Sequence, residues 1–188
     1  PPPPPPPPPP PFFFHADPGI GAPLWSRGLG DVYKRQGLRV GCSVVQGLGY
    51  GLKVPIIPIS SLRITAQQAI EKLNSKNIVV INDAHMEELY VGEYKCSKNI
   101  AVNLKPDYSI HRVEINELVN SFPEDFTFIG NAMHFIEKDL QKKIIYDFTP
   151  KANFSFNIAN DLILNQKFVP AEQVTINYLS GESQWKRV

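Results

Sequence analysis

The chain opens on eleven consecutive prolines, Pro1 to Pro11. Proline has no backbone N–H and a fixed φ, so this run favours an extended polyproline helix and can join neither a sheet nor a helix interior. From Phe12 to Gln36 the sequence shows turn signals without a sustained apolar period. We therefore expect residues 1–36 to be a disordered leader, with the folded part beginning near Gly37.

The leader has two interpretations. The stretch from Trp25 to Gln36, WSRGLGDVYKRQ, resembles a translated adaptor sequence, so we interpret the leader as foreign to the protein. The alternative is a ligand for SH3-type domains, because proline runs followed by aromatic residues are typical of such ligands. Composition favours the first interpretation.

The charge of the remaining chain is balanced. Without Arg27, Lys34 and Arg35 among the basic residues, and Asp17 and Asp31 among the acidic ones, residues 37–188 keep 16 of each sign. A neutral domain lacks the basic excess that drives binding to a phosphate backbone. We expect any contact with RNA to pass through a partner.

Cysteine usage and hydropathy indicate the compartment. Cys42 and Cys96 are the only cysteines and lie far apart, so they form neither a metal clip nor a disulfide framework. No run of 18 apolar residues exists, and the leader lacks the pattern of a secretion signal. These observations predict a cytoplasmic protein without membrane insertion.

The first predicted element is a helix from Gly37 to Leu52, with apolar residues at helical spacing. Ser43, Gly47 and Gly51 recur every four residues and form a ridge almost without side chains. Each interior glycine costs a helix about 1 kcal/mol relative to alanine, so something should pack closely against the ridge. That neighbour is either another helix of this chain or one of another molecule.

The remaining segments alternate in type, which predicts an α/β fold. A helix after the N-cap Ser60-Ser61 and a hairpin of two strands come first, and shorter elements follow. The predicted strands are 54–59, 78–81, 89–94, 126–129, 144–148 and 174–178, and the predicted helices are 62–73, 115–122, 132–140 and 157–166.

The densest titratable cluster lies in the predicted hairpin connection, 82–88. Its members could bind a metal or act as acids and bases, but no second motif completes such a set and polar residues are expected in a loop. The glycines at 47, 49 and 51 lack the spacing of a phosphate-binding loop. Isolated histidines are more often structural than ligands. The cluster consists of Asp83, His85, Glu87 and Glu88, and the isolated histidines are His111 and His134.

Three ordered blocks carry a family resemblance. The first block is GLRVGCSVVQGLGYGL at 37–52 followed by PIIPISSL at 55–62, the second is INDAHMEELYVGEY at 81–94, and the third is YLSGESQWK at 178–186. Together they resemble the bacterial TsaB (YeaZ) family. His85, Glu87 and Ser180 depart from the family pattern, which puts local contacts in doubt rather than the resemblance.

The resemblance implies a partial two-lobed fold of the actin, sugar-kinase and Hsp70 type (the ASKHA fold), lacking the first strands of its N-terminal lobe. The family usually has Pro-Gly-Ser-Phe-Thr where this chain has residues 31–36. We accordingly divide the chain into the leader 1–36, a remnant of the first lobe with partner-binding helices at 37–75, and a C-terminal α/β lobe at 76–188. The chain end is expected to return towards the first lobe.

The resemblance also implies a role. The family supplies a non-catalytic dimerisation subunit that supports TsaD, with TsaE joining, in attaching threonylcarbamoyl to the tRNA adenosine beside the anticodon. The complex uses ATP and threonylcarbamoyl-adenylate, and tRNA binding is indirect. The resemblance leaves open a homodimer and a nucleotide at the subunit interface, and it implies no cofactor held by this chain.

The expected partner-binding residues are Ser43, Gly47, Tyr50 and Gly51, because the family pairs through its first-lobe helices. The alternative function is a glycoprotease-like peptidase, an older label of the same family. In that case Asp83, His85 and Glu88 would act.

Overall fold

The computed structural model describes residues 30–179, except 138, 141, 146, 147 and 149, with side chains from residue 37 onwards. Within these residues the chain forms a mixed sheet with helices. The helices are α1 (Gly30–Leu52), α2 (Ser61–Leu73), α3 (Ile115–Ser121) and α4 (Ser155–Leu164), and the strands are β1 (Asn77–His85), β2 (Glu88–Ser97), β3 (Ile100–Asn103), β4 (Tyr108–His111), β5 (Phe126–Ile129) and β6 (Lys143–Ile145).

The sheet runs in the order β3-β2-β1-β5-β6. β1, β5 and β6 are parallel, whereas β2 is antiparallel to β1. β3 and β4 pair with the same strand, β3 along residues 94–97 of β2 and β4 along residues 88–91. The prediction of an α/β fold is confirmed.

The apolar run of β1 is continuous because both faces of the sheet are covered. Val79 and Ile81 face a core with α3, whereas Ile78 and Val80 face α2. The apolar stripe of α2 contacts the second face through Ala66 and other buried residues, namely Leu62, Ala69 and Ile70. β1 is therefore the central strand of two cores.

Polar side chains of α2 also bind the outer edge of β3. The backbone N–H of Ala101 donates to Gln67 Oε1 at 2.8 Å, and Gln67 Nε2 donates to the carbonyl of Asn99 at 2.9 Å. Arg63 Nε donates to the carbonyl of Ala101 at 2.8 Å. Helix α2 therefore shares its core and its hydrogen bonds with the sheet, whereas the division at residue 75 stays a prediction.

Helix α1 begins at Gly30, seven residues before the predicted start. The expectation that no element lies between Phe12 and Gln36 is therefore wrong for residues 30–36. Helix propagation adds one hydrogen bond per residue, so a helix continues upstream until a breaker intervenes, and residues 30–36 contain no proline. Residues 1–29, with the proline run, lie outside the described residues.

Two predicted strands are wrong. Residues 54–59 form only a single bridge, Ile56 to Val169, because Pro55 and Pro58 offer no N–H to a ladder. Residues 174–178 have alternating burial but form no ladder among the described strands, because the segment packs against α1 instead.

The predicted helix at 132–140 is also wrong, since it reduces to one 3₁₀ turn at Met133–Phe135. Its apolar residues Ala132, Met133 and Ile136 are buried against the sheet, which a short turn already achieves. Of the predicted strand at 144–148, β6 contains only 144 and 145, and residues 146 and 147 lie outside the described part of the chain.

The β1–β2 hairpin is longer than predicted and its turn is shorter. Met86 and Glu87 form the turn, and both have positive φ, as does His85. Asp83 and His85 therefore lie in β1 and Glu88 lies in β2, rather than in a loop. Ser60 is the N-cap of α2 as predicted, but its hydroxyl donates to Asp107 Oδ2 at 2.6 Å rather than capping the helix.

Candidate protein-interaction surface

Helix α1 carries a wide apolar face that points away from the rest of the described chain. Leu48 and Leu52 are 59% and 69% exposed, and Val44 is 56% exposed. At about 100° per residue the uncharged positions span roughly half of the helix circumference. We call this the outer face of α1; it consists of Gly37, Leu38, Val40, Gly41, Val44, Val45, Gly47, Leu48, Gly51 and Leu52.

The opposite, inner face of α1 is held by the segment 169–178. Gln46 Nε2 donates to the carbonyl of Val174 at 2.9 Å, and Arg39 Nε donates to the hydroxyl of Tyr178 at 3.2 Å. That bond raises the pKa of the Arg39 guanidinium further. The helix is thus anchored by polar contacts and leaves its apolar side exposed, the reverse of an ordinary surface helix.

The predicted ridge lies along one border of the outer face. Ser43, Gly47 and Gly51 are exposed, and a Cβ added to either glycine would meet no atom within 4 Å. Among the described residues, therefore, no internal neighbour packs against the ridge. Its role in binding stays a prediction.

A different glycine makes the close internal contact. A Cβ on the buried Gly49 would lie 2.9 Å from Ile56 Cδ1 and 3.2 Å from the Cβ of Ala171. Sequence reasoning missed this role because both contacts come from segments outside the helix. The run of three alternate glycines gave no signal to distinguish Gly49 from its neighbours.

A groove of about 550 Å³ opens at the carboxyl end of α1. Tyr50, which is 70% exposed, forms part of its wall, and apolar side chains such as Val54 and Phe168 line it. Two charged residues, Lys53 and Glu172, also line the groove. The groove is therefore an extension of the α1 surface that the sequence did not predict.

The hairpin cluster has structural contacts. Asp83 Oδ1 accepts the backbone N–H of His85 at 2.8 Å, and Asp83 Oδ2 lies 3.7 Å from His85 Nδ1. Glu87 forms an ion pair with Arg112. Within residues 30–179, where described, no group of three or more His, Cys, Asp or Glu side chains could hold a metal ion. These contacts stabilise the turn, and no geometry here favours the peptidase alternative.

The carboxyl edge of the parallel strands is the usual ligand site of α/β sheets. Here Asn131 Oδ1 accepts the N–H of Asp83 at 2.7 Å, and Asn82 Oδ1 accepts the N–H of Asn131 at 3.3 Å. Gly130 has a φ of +135°, and a Cβ there would lie 2.0 Å from the carbonyl oxygen of Ile81. The two asparagine side chains thus occupy amides that could otherwise bind an anion.

The isolated residues have local contacts. His111 Nδ1 accepts the N–H of Val113 at 3.5 Å, and the ring of His134 lies 4.0 Å from that of Phe135. Cys42 and Cys96 are free, half-buried thiols. No helix in the described ranges is long and apolar enough to span a membrane.

The sequence matches proteins of one pathway. The family model described as "TsaD: tRNA N6-adenosine threonylcarbamoyltransferase" matches residues 35–169. The chain is 28% identical over 167 residues to the tRNA threonylcarbamoyladenosine biosynthesis protein TsaB of Haemophilus influenzae, covering 81% of this chain and 68% of that protein. The Escherichia coli protein of the same name is 27% identical over 176 residues, covering 90% and 74%.

Solved structures share the fold. A Pseudomonas aeruginosa protein described as similar to peptidase YEAZ superposes with a TM-score of 0.69 at 23% identity, covering 77% of this chain and 68% of that one. YeaZ from the same organism gives a TM-score of 0.62 at 22% identity, covering 73% and 65%. The chain therefore spans about two thirds of the length of the proteins it matches.

Proposed function

The chain belongs to the tRNA N6-adenosine threonylcarbamoyltransferase (TsaD) family and, within it, to the TsaB (YeaZ) proteins, and on that premise we propose that it is a non-catalytic subunit that binds and supports a TsaD-like partner. The chain takes part in tRNA threonylcarbamoyladenosine biosynthesis. ATP and threonylcarbamoyl-adenylate are used by the complex, which a TsaE-like ATPase joins, and tRNA contacts the partner.

The outer face of α1 carries this proposal. Large exposed apolar patches on a soluble protein mark interaction sites more often than they mark bare surface. Burying a side chain such as Leu48 or Leu52 stabilises a complex by about 1.5–3 kcal/mol relative to leaving it exposed. A partner that covers the face gains this energy.

The ridge specifies the shape of the partner. Packed helix axes are usually roughly 8–10 Å apart. Gly47 and Gly51 let another backbone approach more closely than this, because no side chain separates the two backbones. The adjoining Val44 and Leu48 then pack beside the approaching element. A helix of the TsaD-like partner fits this surface.

Two further observations support a non-catalytic role. The amides at the carboxyl edge of β1 and β5 are bonded to Asn82 and Asn131, so an anionic substrate would have to displace these side chains. The residues 37–188 also carry no excess of basic charge, which agrees with tRNA binding through the partner.

The test is the affinity of the full chain for a purified TsaD protein, measured by calorimetry. Gly47→Leu should reduce the affinity at least about tenfold, or about 1.4 kcal/mol, because it fills the ridge. The substitution adds a good helix former at a site with open space, so the free chain should not lose stability.

The matched control is Asn120→Leu, which places the same side chain on the exposed side of α3. It should leave the affinity unchanged. Absence of any binding between the unsubstituted chain and TsaD would overturn the proposed function, and equal binding by the Gly47→Leu and unsubstituted chains would exclude the ridge.

A further inference from the structure

Helix α1 has a composition that opposes helix formation. Gly37, Gly41, Gly47 and Gly49 lie in its interior, and Gly51 lies in its last turn. Each interior glycine lowers the equilibrium between helix and coil roughly fivefold relative to alanine, and four of them together lower it roughly 600-fold. Most helical stability in proteins comes from the packing of an apolar face rather than from propensity. Helix α1 therefore depends on such packing more than an ordinary helix does.

The rest of the described chain supplies little of this packing. Of residues 37–52, only Gly49 is buried, and a glycine has no side chain to remove from water. Among the described residues, neither core cluster of the sheet includes a member of α1. The inner face adds the half-buried Cys42 and hydrogen bonds from Gln46 and Arg39, which water can replace when the helix opens. These contacts compensate poorly for the glycines.

The large apolar side chains of α1 lie on its outer face instead. Val44, Leu48 and Leu52 are each more than half exposed. They form a single stripe only while the backbone is helical, because residues four apart share one side of a helix. A partner that covers this stripe removes it from water and favours the helix at the same time. The contacts that bind the partner are therefore also the contacts that stabilise α1.

We propose, resting on the function proposed above, that the folding of α1 is coupled to binding: in the free chain the helix at 37–52 opens and closes, and the TsaD-like partner binds and completes the closed form. A segment that orders on binding loses its conformational entropy at that moment. The apparent dissociation constant is then the intrinsic one divided by the fraction of molecules in which the helix is formed. The glycines of α1 thus set the affinity as well as the shape of the interface.

Hydrogen exchange of the full chain measures the helix directly. In the free chain the amides of α1 should exchange within about a hundredfold of the rate of an unfolded peptide, whereas those of α2 and β1 should be far better protected. The free chain is studied at low concentration, so that two copies do not cover each other's outer face. An excess of purified TsaD should slow the exchange of α1 by a further factor of about a hundred or more. Amides of α1 that are as well protected as those of α2 in the free chain would overturn the inference.

A substitution that favours the helix without filling the ridge provides a second test. Gly41 lies about 120° from Gly47 around the helix axis, and a Cβ there would meet no atom within 4 Å. Gly41→Ala should raise the fraction of molecules with a formed helix, and with it the affinity for TsaD, by up to about fivefold. The control Asn120→Ala also raises helix propensity, but in α3, and should leave the affinity unchanged. An affinity of Gly41→Ala no higher than that of the control would contradict coupled folding.

The two glycine variants separate this inference from the proposed function. Gly47→Leu also favours the helix, but its side chain fills the ridge that the partner approaches, so its affinity should fall while that of Gly41→Ala rises. If TsaD binds the unsubstituted chain and α1 is already protected without it, the proposed function stands and the inference fails. If TsaD does not bind the unsubstituted chain at all, both fail.

Discussion

Helices α1 and α2 are neighbours in the chain and opposites in how they bury their apolar residues. In α2 the apolar stripe contacts the sheet, and Ala66 and Ala69 are 0% exposed. In α1 the apolar residues are exposed, while a glutamine, an arginine and a glycine make the internal contacts. The same kind of pattern therefore stabilises the fold in one helix and is available to a partner in the other.

The difference also concerns polar residues. Gln67 of α2 is fully buried and its amide binds three groups, two of them on the backbone beside β3. Gln46 of α1 is half-buried, and its amide donates to the carbonyl of Val174. Only α2 is thus tied to the sheet through both its apolar and its polar side chains.

The largest expected effect compares an apolar truncation in each helix. Ile70→Ala in α2 should lower the free energy of unfolding by about 2–5 kcal/mol, because it leaves a cavity between α2 and the sheet. Leu48→Ala in α1 should change it by less than about 0.5 kcal/mol in the free chain, because Leu48 is exposed. Urea unfolding followed by circular dichroism measures both, and equal losses would contradict the comparison.

A smaller effect is expected for the two glutamines. Gln67→Ala leaves the buried N–H of Ala101 without its partner, at about 1–3 kcal/mol for a group that water cannot reach, and also removes the part-buried bond to the carbonyl of Asn99. Gln46→Ala should cost less than about 1 kcal/mol, because the carbonyl of Val174 is only part-buried. The same urea experiment applies, and a greater loss for Gln46→Ala would reverse the interpretation of the two helices.

The smallest expected effect is a dependence of the free energy of unfolding on pH, and it comes from a buried tyrosine of β2. Burial, and then the nearby Asp107 carboxylate that accepts a hydrogen bond from its hydroxyl, raise the pKa of Tyr94 above its ordinary value of 10.0. The folded chain therefore keeps this proton when the unfolded chain has lost it, so the contribution of Tyr94 to stability is constant below about pH 10 and falls above it. The loss from Tyr94 is about 1.4 kcal/mol at pH 11.

Tyr94→Phe provides the matching control, since it removes the titrating group and should flatten this part of the alkaline decline. Burial also raises the pKa of Tyr108, which donates to Glu93, so a residual decline should remain in the variant. Urea midpoints of both proteins between pH 9 and about 11 give the comparison. Parallel curves would show that Tyr94 does not titrate differently on unfolding.

The sequence predicted the elements whose signals are local and strong. The continuous apolar run of β1, its hairpin partner β2 and the periodic stripe of α2 are confirmed, as is the resemblance to TsaB. The four-residue strands β3 and β4 were missed because both form by pairing with the free edge of β2, and no local sequence pattern marks that pairing.

The candidate site was predicted only in part. The placement of Ser43, Gly47, Tyr50 and Gly51 along α1 follows from helical spacing, but the sequence left open whether another helix of the chain covers the ridge. The groove depends on the distant segment 168–172. Asn82 and Asn131 meet only because β1 and β5 are parallel neighbours. Contacts between remote segments leave no local pattern in the sequence. The role of the α1 residues in binding stays a prediction.

The side chains of α2 that bind β3 also limit how molecules of this protein meet at high concentration. A bare edge strand offers a row of amides and carbonyls to any other strand, and such edges lead to uncontrolled aggregation. On this side of the sheet, Gln67 and Arg63 already engage the backbone at 99 and 101. The exposed apolar face of α1 therefore belongs to a chain in which this part of the β3 edge is already engaged and offers no template for fibres.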